Sequence, residues 1–157
     1  MADLPDERPV RKPNRVTVRK YNEDGAYFIT VCTKDREEFF GKVEHGEMVL
    51  SEIGRIAANE CARIEEVYAS VVLEAFVVMP NHVHFLFLLL GGSRNPSVMR
   101  IVQQWKGAAA KKMGFSPWQD RCHDNIILTA SEFRIIRRYI QKNPAQWEQD
   151  KFNESRT

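Results

Sequence analysis

Cysteine is scarce in this chain of 157 residues: Cys32, Cys61 and Cys122 are odd in number, widely spaced, and form no C-x-x-C pair. That pattern argues against a disulfide framework, and reduced thiols in a cytoplasmic protein are the expectation. Long apolar runs are also missing. The most apolar stretch, Val83 to Leu90, is strand-sized and follows a turn, too short to cross a bilayer. The first residues include Asp3, Asp6 and Glu7 and no apolar h-region, so no secretory leader is expected. Internal repeats and low-complexity tracts are absent. What remains, 43% hydrophobic residues over this length, suits one globular domain with a proper core.

Net charge is equally unassertive at +2, but it is unevenly divided. Residues 35–75 carry ten acids against four bases, whereas residues 94–142 carry ten bases against three acids. A near-neutral protein with a basic half can hold a phosphate backbone through that half. A solvated helical face would leave the same trace, so charge alone decides nothing.

Residues 1–20 are rich in Pro, Arg and Lys without a hydrophobic period and read as a basic arm. Residues 26–33, with their β-branched and aromatic side chains, predict a first buried strand. Residues 43–50 predict a small hairpin turning at His45-Gly46, and Ser51 caps a helix with Ile53, Ile56, Ala57, Ile64 and Val67 in helical period. Residues 71–79 and 82–90 predict two strands joined through Pro80-Asn81. After Gly91-Gly92-Ser93, Asn95 is expected to cap and Pro96 to open a second helix that Gly114 closes. A short fourth strand is expected over 125–128. Thr129 and Glu132 form a capping box for a last helix, which Pro144 ends. The order predicts an α+β, ferredoxin-like antiparallel sheet with crossover helices on one face and an additional C-terminal helix. Residues 148–157 are left as a tail.

The chemistry concentrates in two places. In Met79-Pro80-Asn81-His82-Val83-His84, two histidines lie two apart on a strand, so both point to one face and can grip one metal ion. Leu86 and Leu88 continue that face into the core, which places the imidazoles at the strand end over a packed sheet. A polar, solvated face is the bland alternative for such a pair. In Arg137-Arg138-Tyr139-Ile140-Gln141-Lys142-Asn143-Pro144, a tyrosine and an amide lie four apart on a helix and share a face. Asn143 is the expected third ligand, against the alternative that it merely stops the helix before Pro144. Tyr139 borders the apolar stripe of Phe133, Ile136 and Ile140, so its alternative is a half-buried core tyrosine. Histidine and amide donors suit Mg²⁺ or Mn²⁺. A zinc site drawing on Cys122-His123 ranks lower. No acidic residue lies inside either motif, which argues against a two-metal nuclease.

The strings VVMPNHVHFLF and RRYIQKNPAQW strongly resemble the single-tyrosine HUH transposases, particularly the REP-associated tyrosine transposase group. GAYFITVCTKDREEFFG, VQQWKG and SPWQDRCHDNII support the match, which covers roughly residues 15–147. The resemblance implies an HUH transposase or endonuclease domain over 21–147, with His82 and His84 as metal ligands, Asn143 as the helix-borne ligand and Tyr139 as nucleophile. It implies nicking and rejoining of single-stranded DNA, with hairpin structure near the cleavage point, and a monomer rather than a homodimer. Asn125 and Leu128 depart from the pattern of relatives, which often have histidine and arginine there, so neither is given a role. Candidate phosphate contacts are Lys106, Arg121, Arg134, Arg137 and Arg138, from the segments nearest the motifs. Trp105 and Trp118 are available for base stacking, although Trp105 lies on an apolar stripe and reads as core.

Two other classes remain open. One is a non-catalytic single-stranded nucleic-acid-binding module of ferredoxin-like fold, for which Tyr27-Phe28 is a partial match to an RNA-recognition sheet. The other is a zinc-dependent hydrolase using His82, His84 and His123, which lacks a recognisable general-base motif.

Overall fold

The computed structural model describes residues 21–153. The arm assigned to residues 1–20 lies outside them. Strand β1 (Gly25–Thr33) is followed by a hairpin of β2 (Gly41–Glu44) and β3 (Glu47–Leu50). The hairpin turns at His45 and Gly46 with φ of 54° and 76°, the left-handed pair that a type I′ turn requires. Helix α1 (Glu52–Ala62) and the short α2 (Ile64–Val67) lead to β4 (Val71–Met79) and β5 (His82–Leu89). Then come α3 (Val98–Met113), β6 (Trp118–Ile127) and α4 (Ala130–Lys142), with a 3₁₀ stretch over Pro144–Gln149. No helix of the described residues is long and apolar enough to cross a membrane.

The main sheet is antiparallel with the order β4-β5-β1-β6. That is the ferredoxin-like arrangement: a hairpin, β4–β5, beside the first strand, with the last strand on its far side. One face, carrying Tyr27, Ile29, Val31, Val83, Phe85 and Phe87, packs on α1 and α3 through Ala57, Cys61, Ile101 and Trp105. The other face carries Phe28, Leu86 and Ile127 and packs on α4 through Ile136, Tyr139 and Ile140. Strand alternation thus sends the aromatic-rich half of β5 to the crossover helices and the histidine half to α4. Tyr27 and Phe28 are both buried, so the partial match to an RNA-recognition sheet does not become an open aromatic face.

Helix starts follow their expected chemistry with one exception. Ser51 accepts from Gly54 N at 3.0 Å, and Thr129 accepts from Glu132 N at 3.1 Å, while Glu132 reaches back to Leu128 N. Ser97, not Asn95, caps α3, accepting from Arg100 N at 3.1 Å. Asn95 is drawn instead into the loop, bonding Gly91 N, Asn22 O and Asp24. Gly114 closes α3 in the left-handed conformation. Strand β6 is ten residues long, far longer than the expected 125–128. Its first half is largely exposed and its second half largely buried, and it pairs only with β1 at the sheet edge.

Candidate active site

The site is built on one row of the sheet and the end of α4. In the β1–β5 register His82 faces Cys32 and His84 faces Thr30, so both imidazoles leave the same side of the sheet. Both are buried, and their ring centroids lie 4.6 Å apart. Each ring is held through Nδ1. His84 Nδ1 lies 2.7 Å from Thr30 Oγ1, and His82 Nδ1 lies 2.9 Å from Asn81 Oδ1. With Nδ1 engaged, Nε2 of each ring is the nitrogen left to face the site.

Helix α4 crosses this face and delivers two side chains. The Tyr139 ring stands 5.4 Å from the His84 ring and edge-on to Phe28 at 6.3 Å. One turn later Asn143 is 1% exposed, with helical backbone, and its carbonyl accepts from Gln146 N. The chain therefore does not stop at Asn143 but passes into the following 3₁₀ stretch. The Asn143 amide reaches the His82 ring closely enough to favour its charged form. Even so, neither His82 Nε2 nor Asn143 Oδ1 has a partner at full hydrogen-bond geometry among the described residues. A buried ring nitrogen and a buried amide oxygen converge there without satisfying each other.

Burial dominates the protonation of His82. It pushes the imidazole down from 6.5 to about 3, against the Asn143 contact and together with the positive charges of Arg36 and Lys151. A neutral imidazole is the form that binds a metal. Burial likewise raises the Cys32 thiol on the neighbouring strand to about 11, so it is not a thiolate at neutral pH.

Residues 147–152, all but the first in the stretch that the sequence leaves as a tail, turn back over this face. Trp147 stacks on His82 at 6.1 Å, and the Phe152 ring lies 4.4 Å from His82, 6.1 Å from His84 and 6.3 Å from His123. Arg36 and Lys151 flank the outer face of that ring at 4.8 and 5.3 Å. Asn81 Nδ2 donates to the Phe152 carbonyl at 2.7 Å, and Asp150 accepts from Phe152 N. Cys32, Met79, Trp147 and Phe152 form one small apolar cluster beside His82. Sequence reasoning missed Thr30, Asn81, Trp147 and Phe152. Asn81 sits inside the histidine motif and was legible as a neighbour, whereas the other three become visible only once strand register and chain reversal are known.

Of the expected site residues, the structure gathers His82, His84, Tyr139 and Asn143 at one point. The basic set divides. Arg121 is exposed on β6, and Arg134, Arg137 and Arg138 are exposed on α4, with Arg137 paired to Glu74 at 2.9 Å. Lys106 does not belong with them. It lies on α3, against the opposite sheet face, is 8% exposed, and donates Nζ to Gln119 O at 2.9 Å. Its amphipathic stem serves that packing, and burial lowers its pKa. Both tryptophans are core: Trp105 bonds Ala57 O and Trp118 bonds Lys106 O. They are not stacking platforms. His123 shares the Thr30 row but is exposed, and no group of three His, Cys, Asp or Glu side chains is gathered as a metal cluster among the described residues. The Asn143 amide is the side-chain oxygen that lies buried beside His82.

No family model matches this sequence. An uncharacterized protein of Haemophilus influenzae is 27% identical over 164 residues, covering 89% of this chain and 91% of its own length. A REP-associated tyrosine transposase, solved bound to a REP hairpin, superposes with a TM-score of 0.65 at 21% identity, covering 82% of this chain and 72% of its own. A candidate transposase of Deinococcus radiodurans superposes with a TM-score of 0.50 at 21% identity, covering 83% and 95%. The fold is thus the α+β, four-stranded antiparallel fold of tyrosine transposases.

Proposed function

We propose that the protein is a DNA transposase, or an endonuclease derived from one, that nicks and rejoins single-stranded DNA through Tyr139. The observation that carries this reading is the convergence of Tyr139 and Asn143, from one helix face, on the His82–His84 pair of a buried strand. The fold shared with a transposase solved on a hairpin supports a single-stranded substrate with hairpin structure.

The donor set fits a divalent cation such as Mg²⁺ or Mn²⁺. His82 Nε2 and Asn143 Oδ1 are buried and lack full hydrogen bonds, and His82 is held neutral. His82, His84 and Asn143 would hold it. A bound divalent cation supplies charge withdrawal from the scissile phosphate.

The chain's own part is the nucleophile and its placement. An ordinary tyrosine, with a pKa near 10, is a weak nucleophile at neutral pH, so positioning carries much of the work. The Tyr139 oxygen forms a bond to phosphorus as the bond from phosphorus to the 3′-oxygen breaks. The phenolic proton is lost and the departing 3′-oxygen leaves as a hydroxyl. One phosphodiester is exchanged for another, so a second 3′-hydroxyl can reverse the step and join strands without ATP. Arg121, Arg134, Arg137 and Arg138 are the proposed contacts to the DNA backbone, and a monomer is the proposed working unit.

The test is incubation of the protein with a labelled single-stranded hairpin oligonucleotide and Mn²⁺. A covalent protein–DNA adduct that Tyr139→Phe abolishes supports the reading. Absence of an adduct in the wild type across Mg²⁺ and Mn²⁺, with binding intact, returns the chain to the non-catalytic binding class.

A further inference from the structure

Asn81 stands at the second position of the Pro80–Asn81 turn and is fully buried. Its amide is engaged on both sides. Nδ2 donates to the Phe152 carbonyl at 2.7 Å and lies 3.4 Å from the Arg36 carbonyl. Carbonyl oxygens only accept, so the side of the amide facing them is the NH₂ group. The side facing His82 is then the oxygen, 2.9 Å from Nδ1. An amide oxygen has no proton to give, so Nδ1 must carry it. In a neutral imidazole the other nitrogen, Nε2, then keeps its lone pair.

From this geometry we infer that Asn81 is a positioning residue, setting the tautomer of His82 so that Nε2 presents its lone pair to a divalent cation. The inference rests on the metal role proposed for His82. The lock is asymmetric. Flipping the amide would place NH₂ against the His82 nitrogen and bring Oδ1 against two backbone oxygens, losing the bond to Phe152 and setting oxygen against oxygen. A second side chain would normally be needed to stop such a flip. Here the backbone carbonyls of Arg36 and Phe152 do it, one from the β1–β2 connection and one from the C-terminal segment. Partners of this kind, one bond behind a ligand, change metal affinity by roughly 10–100-fold when removed.

The experiment reads the tautomer directly, on the full chain labelled with ¹⁵N-histidine and free of metal, by two-bond ¹H–¹⁵N correlation at neutral pH. His82 is expected to show a protonated Nδ1 and an unprotonated Nε2. Asn81→Asp keeps an acceptor toward Nδ1 and should keep that tautomer and near-wild-type Mn²⁺ affinity by calorimetry, at a cost in stability, because its second oxygen then faces the Arg36 and Phe152 carbonyls. Asn81→Leu keeps the volume but removes the acceptor. It should shift His82 toward the Nε2-protonated form and weaken Mn²⁺ binding by roughly 10–100-fold. A wild-type His82 protonated at Nε2, or an Asn81→Leu variant with unchanged tautomer and affinity, overturns the assignment. Should Asn81→Leu fail to fold, the wild-type spectrum still decides. Expected tautomers in a protein that forms no DNA adduct count against the transposase reading alone. An adduct-forming protein with Nε2–H on His82 counts against Asn81 alone.

Discussion

Thr30 and His84 are 54 residues apart in sequence and meet across one rung of the β1–β5 ladder, with Thr30 Oγ1 2.7 Å from His84 Nδ1. Both are buried, so the bond holds the ring in a place where water cannot substitute. Thr30→Val removes the hydroxyl at nearly constant volume, and with it this bond to the buried ring. A loss of about 1–3 kcal/mol is expected in urea denaturation, together with slower adduct formation. Thr30→Ser should restore both. Wild-type stability and rate in Thr30→Val would show that this bond does not position the ring.

Tyr139→Phe removes one oxygen and keeps the ring that packs against Phe28 and His84. Covalent adduct should vanish while thermal stability and hairpin affinity stay near wild type. Mass spectrometry of the digested complex checks the site directly. DNA attached to a peptide lacking position 139 would remove Tyr139 as nucleophile.

These two residues show what the sequence reveals and what it hides. The His82–His84 face follows from strand period and the Tyr139–Asn143 face from helical period, and both are local properties. Their meeting follows from the antiparallel β4–β5 hairpin and from a helix packed on that side of the sheet. Thr30 is invisible to local reasoning because its role depends on register between distant strands. The full length of β6 is hidden in the sequence because its Gln119-Asp120-Arg121 start looks like a loop. It is polar because an edge strand wets one side of its backbone. Lys106 is hidden for another reason: a basic residue on an amphipathic helix reads as surface, while its stem is buried and its ammonium is bonded to Gln119 O. The C-terminal segment lacked any periodic signal. Trp147 and Phe152 act singly, as caps over His82, and no helix or strand pattern announces them.

The Phe152 ring lies 4.4 Å from His82, and on the proposed function it is expected to move aside when a phosphate approaches His82. Phe152→Ala should speed adduct formation severalfold at some cost in stability, since the ring also belongs to the cluster with Cys32, Met79 and Trp147. Single-turnover rates at saturating oligonucleotide are the measure. Unchanged rates would mean that the segment already samples an open position faster than chemistry.

Acid should weaken the fold through His82. Its pKa is 6.5 when unfolded and about 3 in the folded protein, so between those values the unfolded chain binds the proton more readily. Stability is therefore fully present above pH 6.5 and falls as pH drops, by up to about 1.4 kcal/mol per pH unit, levelling near pH 3. Metal-free wild type taken from pH 7.5 to 5 should lose about 2 kcal/mol more than His82→Gln over the same interval. Equal losses in the two proteins would mean that His82 remains accessible to protons in the native state.

Asn143 separates a ligand from a helix terminator. A terminator needs only its backbone, and Asn143 keeps helical backbone while the chain continues into Pro144–Gln149. Its side chain is buried against His82, and its oxygen has no full hydrogen bond among the described residues. Leaving an amide oxygen so placed costs about 1–3 kcal/mol unless something else takes the lone pair. Asn143→Ala should therefore leave metal-free stability unchanged or slightly raised, while Mn²⁺ affinity and adduct formation fall. The loss should be less complete than for Tyr139→Phe, because water can fill one coordination position. Asn143→Asp keeps an oxygen at similar reach and adds charge, so Mn²⁺ binding should be retained or tightened. A terminator would give the opposite pattern: lower metal-free stability in both variants and metal affinity unmoved. Calorimetric Mn²⁺ titration beside urea denaturation of the same three proteins tells the two apart. Because Tyr139 and Asn143 ride on one helix face, a shift of α4 moves nucleophile and ligand together. A hairpin that draws α4 toward the sheet should then tighten Mn²⁺ binding in the wild type and not in Asn143→Ala.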